Sequence, residues 1–167
     1  RKKGECVEKR KGLLILLSVL VLYTLIELPL LTTITKVWVD EPWYGGTAYN
    51  FSQGKGFTNE NVTGAYGGDV IFVYPLFLGT FMKIFGGSLF ASRMFSFLCG
   101  AILILIAYLI LKELIEEKKY FIVFFVLFVL SSTVYIVFRT VRPEALKIIF
   151  SSLSLLFFIR GVKRNPL

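Results

Sequence analysis

Four long apolar runs, separated by short charged turns, organise this chain. They cover residues 13–31, 89–111, 120–138 and 145–159. A helix needs about 20 apolar residues to cross a hydrocarbon core of about 30 Å, so the first three runs are predicted to be transmembrane helices. The fourth is shorter, carries Lys147, and reaches that length only if its flanks contribute. The first run is longer than the apolar core of a signal peptide, about 7–15 residues, and no small-residue cleavage site follows it. The expected fold is therefore an all-α, polytopic bundle of about four spans.

A fifth apolar stretch, residues 70–85, is interrupted by Pro75 and Gly79 and followed by Gly86-Gly87. Whether it crosses decides the sidedness of everything after it. With Lys147 set aside as lying within a span, a non-crossing stretch leaves 12 Lys and Arg on the side of the N-terminus and 6 on the other. A crossing stretch changes the split to 10 and 8. Cytoplasmic loops carry the excess of Lys and Arg, so residues 70–85 are expected to form a helix lying in the outer interface. On this map residues 1–12 are a basic cytoplasmic tail, and residues 13–167 form the transmembrane part. Residues 32–88 make one large external loop with interfacial helices, 112–119 a cytoplasmic turn and 139–144 a short external turn.

Composition agrees with the pattern. Of 167 residues, 56% are hydrophobic and 17 are Phe, and the mean hydropathy is +0.73. Only a lipid bilayer accommodates that much apolar surface at this length. The net charge of +8 sits in clusters before the first run and after the last. It therefore fits topology and headgroup contacts, not nucleic acid. Cys6 lies in the basic tail and Cys99 in an apolar run, which argues against a disulfide between them. The sequence has no histidine, which excludes a Ser-His-Asp triad and His-ligated zinc within these residues.

Candidate chemistry gathers on the external side. Asp40-Glu41 stands among Val37, Trp38, Val39, Pro42, Trp43 and Tyr44, at the depth where aromatic residues anchor. A carboxylate in a partly dry place can act as a general base. Equally, Asp40 can be a helix N-cap, with Glu41 a first-turn acid and Pro42 at the helix start. Arg139-Thr140-Val141-Arg142-Pro143-Glu144 opens the fourth span on the same side. Its arginines can hold a phosphate or reach for headgroups. Arg93, near the external end of the second span, has the same two options. Glu27 and Lys147, in the outer halves of spans, are expected to neutralise one another or another buried partner. Asn50-Phe51-Ser52 and Asn61-Val62-Thr63 match the glycosylation triplet.

In order along the chain, Asp40-Glu41 with Tyr44 and Ala48, Tyr74-Pro75-Leu76, the run from Phe85 to Arg93, and Arg142-Pro143-Glu144 resemble the N-terminal part of the GT-C superfamily of membrane glycosyltransferases. The likeness is to the branch of protein O-mannosyltransferases and lipid A aminoarabinose transferases, and it extends over residues 37–161. One family proline is missing, Tyr74 standing in its place. The resemblance implies inverting transfer of a sugar from a polyprenyl-phosphate carrier to a protein, lipid or glycan acceptor on the extracytoplasmic side. It gives Asp40 the role of general base and Glu41 that of positioning the acceptor or tuning Asp40. Arg93, Arg139 and Arg142 become candidates to stabilise the departing phosphate, with Tyr44 beside them. Glu144 would orient an arginine or contribute to a cation site. A divalent cation, Mg²⁺ or Mn²⁺, held by Asp40, Glu41 and Glu144 is compatible with the pattern. The host membrane is expected to be a prokaryotic plasma membrane.

The chain starts without Met and stops just after a span, so it is expected to be an N-terminal fragment, inactive alone. Two other readings compete. A transporter or flippase for a lipid-linked substrate would place function on Glu27 and Lys147. A structural membrane subunit would need no single carboxylate.

Overall fold

The computed structural model describes residues 2–33, 36–59, 72–115 and 117–164, and every regular element among them is helical. Seven α-helices follow one another: α1 Lys2–Glu27, α2 Asp40–Ser52, α3 Val73–Phe85, α4 Leu89–Leu114, α5 Lys118–Val129, α6 Ser132–Arg139 and α7 Glu144–Arg164. A 3-10 turn, Leu28–Leu30, prolongs α1. Among the described residues, three stretches are long and apolar enough to cross a membrane: Gly12–Leu30, Leu89–Leu114 and Glu144–Arg164.

The third expected span is not one continuous helix. It divides into α5 and α6 at Leu130–Ser131. The sequence there is Ser131-Ser132-Thr133, three hydroxyl residues that compete with the backbone ladder. Ser131 takes an extended conformation and its hydroxyl faces Val134 N at 3.5 Å, so a new helix starts where the old one stops.

In series, α5 and α6 still cover the depth of the bundle. Near the start of α5, Phe121 packs edge-on against Tyr108, in the C-terminal half of α4. Near the end of α6, Phe138 lies against Gly100, and Arg139 meets Glu27 at the end of α1. Helix α1 runs opposite to α4, its Gly12 lying by Tyr108 and its Tyr23 donating to Phe97 O at 3.2 Å. Helix α7 runs alongside α4 in the same direction, Arg160 pairing with Glu113 at 3.0 Å and Lys163 reaching the same residue. Four traverses result, alternating in direction.

Helix α4 is the axis of the bundle. Its buried Ala91, Ser92, Ser96, Gly100 and Ala107 let neighbours approach closely, as small residues do between membrane helices. Around it pack Leu16, Phe125, Phe138 and Ile149, against its own Phe97 and Ile104. The outward faces are also apolar: Leu14, Leu25, Leu105, Phe157 and Phe158 are all exposed. Lipid is the solvent such a surface requires, and the chain is an integral membrane protein.

Helices α2 and α3 fill the interval between α1 and α4 and pack on each other. With 13 residues, α3 is about 20 Å long, too short to cross about 30 Å of hydrocarbon. Residues 70 and 71, at the start of the expected interfacial helix, lie outside the described residues. The α2–α3 contact is closest at Gly79, where a Cβ would stand 2.6 Å from Ala48 O and 2.7 Å from Phe51 Cδ1. Helix α3 ends at Gly86, whose φ of 91° only glycine adopts readily. Gly79→Ala is expected to force the two helices apart at a cost of about 1–3 kcal/mol. Thermal unfolding in detergent checks this, and an unchanged midpoint would show that α2 and α3 separate freely.

Candidate functional site

Five segments converge at one end of the bundle: the end of α1, the start of α2, α3, the start of α4 and the turn joining α6 to α7. The first turn of α2 carries both carboxylates, where acids favour the positive end of the helix dipole. Asp40 is not the N-cap that its spacing allowed. Val39 occupies that position in a helical conformation, and no side chain caps the helix.

The two acids have opposite environments. Glu41 is buried, and all four of its lone-pair directions are used. Oε1 accepts from Arg93 Nε at 2.9 Å and from Val141 N at 3.0 Å. Oε2 accepts from Arg93 Nη2 at 2.7 Å and from Trp38 N at 2.8 Å. Arg93 is also fully buried, and its Nη1 donates to Leu31 O at 2.6 Å. Burial alone would raise the Glu41 pKa, but Arg93 and the two backbone N–H groups outweigh it and hold the carboxyl below its ordinary value. Glu41 is therefore an ionised clamp joining α1, α2, α4 and the α6–α7 turn.

Asp40 is open by contrast. Its side chain is 45% exposed against 1% for that of Glu41. Among the described residues it pairs with Arg142, Nη2 to Oδ2 at 3.4 Å. Arg142 in turn faces Glu144, Nε to Oε2 at 3.6 Å, and lies over the Trp38 ring at 5.8 Å. That 3.6 Å is too long for a hydrogen bond, so Arg142 Nε and Glu144 Oε2 are buried atoms without a hydrogen-bond partner among the described residues. The structure thus holds a tight pair, Glu41–Arg93, beside a loose chain of charges, Asp40–Arg142–Glu144.

Tyr44, one helical turn after Asp40, borders this loose chain and stands edge-on to Tyr74 with ring centroids 5.9 Å apart. Burial, then the charges of Glu144 and Asp40, raise its pKa against the opposing charge of Arg142, so its hydroxyl stays protonated. On the other side of α2 a groove of about 230 Å³ runs between Gly45, Gly46 and Tyr49 and the Gly87-Ser88 turn.

Among the expected site residues, Asp40, Arg142, Glu144 and Tyr44 come together, and Glu41 and Arg93 form the adjacent clamp. Arg139 is directed elsewhere: Nε and Nη2 donate to Glu27 at 2.8 and 2.9 Å. Glu27 thus has a half-buried partner, Arg139, in place of Lys147, whose side chain is exposed. Asn50 donates to Thr58 O at 2.9 Å, and the triplet at Asn61 lies outside the described residues.

The three acids considered for a cation do not gather into a metal-binding group among the described residues. The Glu41 oxygens are already occupied, and Asp40 and Glu144 are separated by Arg142. As arranged, these residues do not fit a Mg²⁺ or Mn²⁺ site.

Three participants escaped the sequence reading. Asn59 is buried and donates to Pro42 O at 3.2 Å and Trp43 O at 2.9 Å, securing the first turn of α2 from a loop. Leu31 O and Val141 N act through the backbone, which no side-chain pattern announces. Only Asn59 had a local cue, as a polar residue shortly after Gly54 and Gly56, and that cue is shared by most loop residues.

Comparison with known families gives one match, over residues 69–167, to dolichyl-phosphate-mannose-protein mannosyltransferases. The matched stretch contains Arg93, Arg139, Arg142 and Glu144, and Asp40, Glu41 and Tyr44 precede it. No curated protein and no solved structure matches.

Proposed function

The chain belongs to the dolichyl-phosphate-mannose-protein mannosyltransferase family, a family of membrane glycosyltransferases of the GT-C type, and from that premise we propose how its residues act. The protein transfers a glycosyl group from a polyprenyl-phosphate-linked sugar to an acceptor hydroxyl on the extracytoplasmic face. Asp40 is the general base. It takes the hydroxyl proton as the acceptor oxygen attacks the anomeric carbon. The bond from that carbon to the phosphate oxygen breaks on the opposite side, and the lipid phosphate leaves with the electron pair, inverting the configuration. Arg142 meets the negative charge that develops on the departing phosphate, where a preplaced cation lowers the barrier most.

The observation that carries this reading is the contrast between the paired acids. Glu41 has no lone pair left for a proton, whereas Asp40 is accessible and only loosely held. The same looseness favours Arg142 over Arg93 as the phosphate ligand, because the Arg93 guanidinium is buried against Glu41 and Leu31 O. The 12-to-6 distribution of Lys and Arg supports an extracytoplasmic placement for this end. The transporter reading loses its main support, since Glu27 is bound to Arg139 and Lys147 lies exposed.

Arg142→Gln tests the phosphate role. In the complete protein, reconstituted with a labelled polyprenyl-phosphate sugar, the donor KM is expected to rise about tenfold and kcat to fall, with Arg142→Lys intermediate. Unchanged donor kinetics in Arg142→Gln would remove Arg142 from the phosphate site.

A further inference from the structure

The turn from α6 to α7 is fastened unevenly. Arg139 is held by two charge-assisted bonds to Glu27, at the end of α1. Thr140 is buried, its hydroxyl donating to Ile136 O at 2.8 Å. Val141 is buried and its N–H is held by Glu41 at 3.0 Å. Arg142 is the first residue of the turn whose contacts are long, 3.4 Å to Asp40 and 3.6 Å to Glu144. A tightly fixed backbone therefore presents a loosely held guanidinium.

We propose that Glu27 and Arg139 are a positioning pair, setting the place from which Arg142 meets the lipid phosphate. This rests on the reading of Asp40 and Arg142 given above and extends it to two residues that touch no substrate. Arg142 lies three positions after Arg139, a reach of about 10 Å even when extended, so a shift at the first is carried to the second. Stability alone is a poor reason for the pair, because buried ion pairs often stabilise no better than apolar residues of similar size. Their distinctive contribution is geometry: a bidentate bond fixes distance and direction together. Glu27 cannot turn to water instead, since its side chain is only 2% exposed. Glu27 and Arg139 act through Arg142 and are not catalytic residues.

The test is steady-state kinetics on the complete protein in proteoliposomes, varying donor and acceptor separately. Glu27→Gln keeps the shape but removes the charge. It is expected to lower donor kcat/KM about 10- to 100-fold while leaving the acceptor KM unchanged. The exchanged pair Glu27→Arg/Arg139→Glu is expected to recover most of the loss. A merely structural pair would instead reduce the amount of folded enzyme, with the kinetic constants of the remainder unaltered. That result, or wild-type donor kcat/KM in Glu27→Gln, overturns the proposal. Should Glu27→Gln fail to fold, Arg139→Lys carries the same comparison, keeping the charge and losing the bidentate geometry. Asp40→Asn, measured in parallel, separates the two levels. If it abolishes transfer while Glu27→Gln behaves as wild type, the positioning role alone fails. If Asp40→Asn is fully active, the base assignment fails, and a selective donor defect in Glu27→Gln still upholds the placement of Arg142.

Discussion

Asp40→Asn is expected to leave the complete protein folded and to reduce its transfer rate about 10²–10⁴-fold, the range that a general base supplies. The substitution preserves shape and can still receive a hydrogen bond from Arg142, but an amide does not accept a proton from an attacking hydroxyl. Folding should survive because the Asp40 side chain is partly exposed and its ion pair with Arg142 is long, at 3.4 Å. Exposed pairs of that kind contribute about 0–1 kcal/mol. The loss should appear in kcat, with the donor KM little changed, since the proton moves only in the transition state. Single-turnover transfer from a labelled polyprenyl-phosphate sugar reads the effect. Wild-type turnover in Asp40→Asn would return the residue to a plain first-turn acid and shift attention to Glu144, the other exposed carboxylate of the cluster.

Arg93→Met should be the most damaging single change to the fold. It leaves the Glu41 carboxylate buried with two backbone N–H donors and no cation, a loss of about 3–5 kcal/mol. Unfolding in mild detergent, or the yield of folded protein in membranes, measures it. Adding Glu41→Leu removes the stranded charge and should recover part of the loss. Recovery stays incomplete because Val141 N and Leu31 O, both in buried positions, then lose the partners they have here, each costing about 1–3 kcal/mol. Strict additivity of the two changes would mean that the clamp is not a coupled unit. Acid probes the same clamp. Because Glu41 titrates below its ordinary value of 4.5 in the folded state, its contribution is complete above that value. It is lost as pH falls through the lowered one. Wild type should therefore lose stability below about pH 4.5, and Arg93→Met should lose this part of its pH dependence.

Much of this was legible in the sequence, and for physical reasons. Apolar runs of nearly 20 residues and the uneven spread of Lys and Arg define spans and their order without any long-range information. The shared end of Asp40, Glu41, Arg93, Arg142 and Glu144 followed from counting traverses. What the sequence left open was pairing. Glu41 and Arg93 are 52 positions apart, and Glu27 and Arg139 are 112 apart. No periodicity connects residues at such distances, so Asp40 and Glu41 read as equals although one is locked and the other open. The break at Ser131 was hidden because hydrophobicity continues across it while backbone hydrogen bonding does not. Arg139 and Arg142 likewise looked alike three positions apart, and only the tilt of the turn sends one to α1 and the other to α2.

The long interval between Glu27 and Arg139 also governs the order of assembly. During synthesis Glu27 is committed to the bilayer more than a hundred residues before its cation is made. An isolated carboxylate at that depth is costly and is accommodated by staying near the headgroups. The first helix therefore sits provisionally until α6 arrives. Once Arg139 reaches it, Glu27 gains its bidentate partner and the end of α1 is fixed, with Leu31 O beside Arg93. The charged end of the bundle thus closes late in biogenesis.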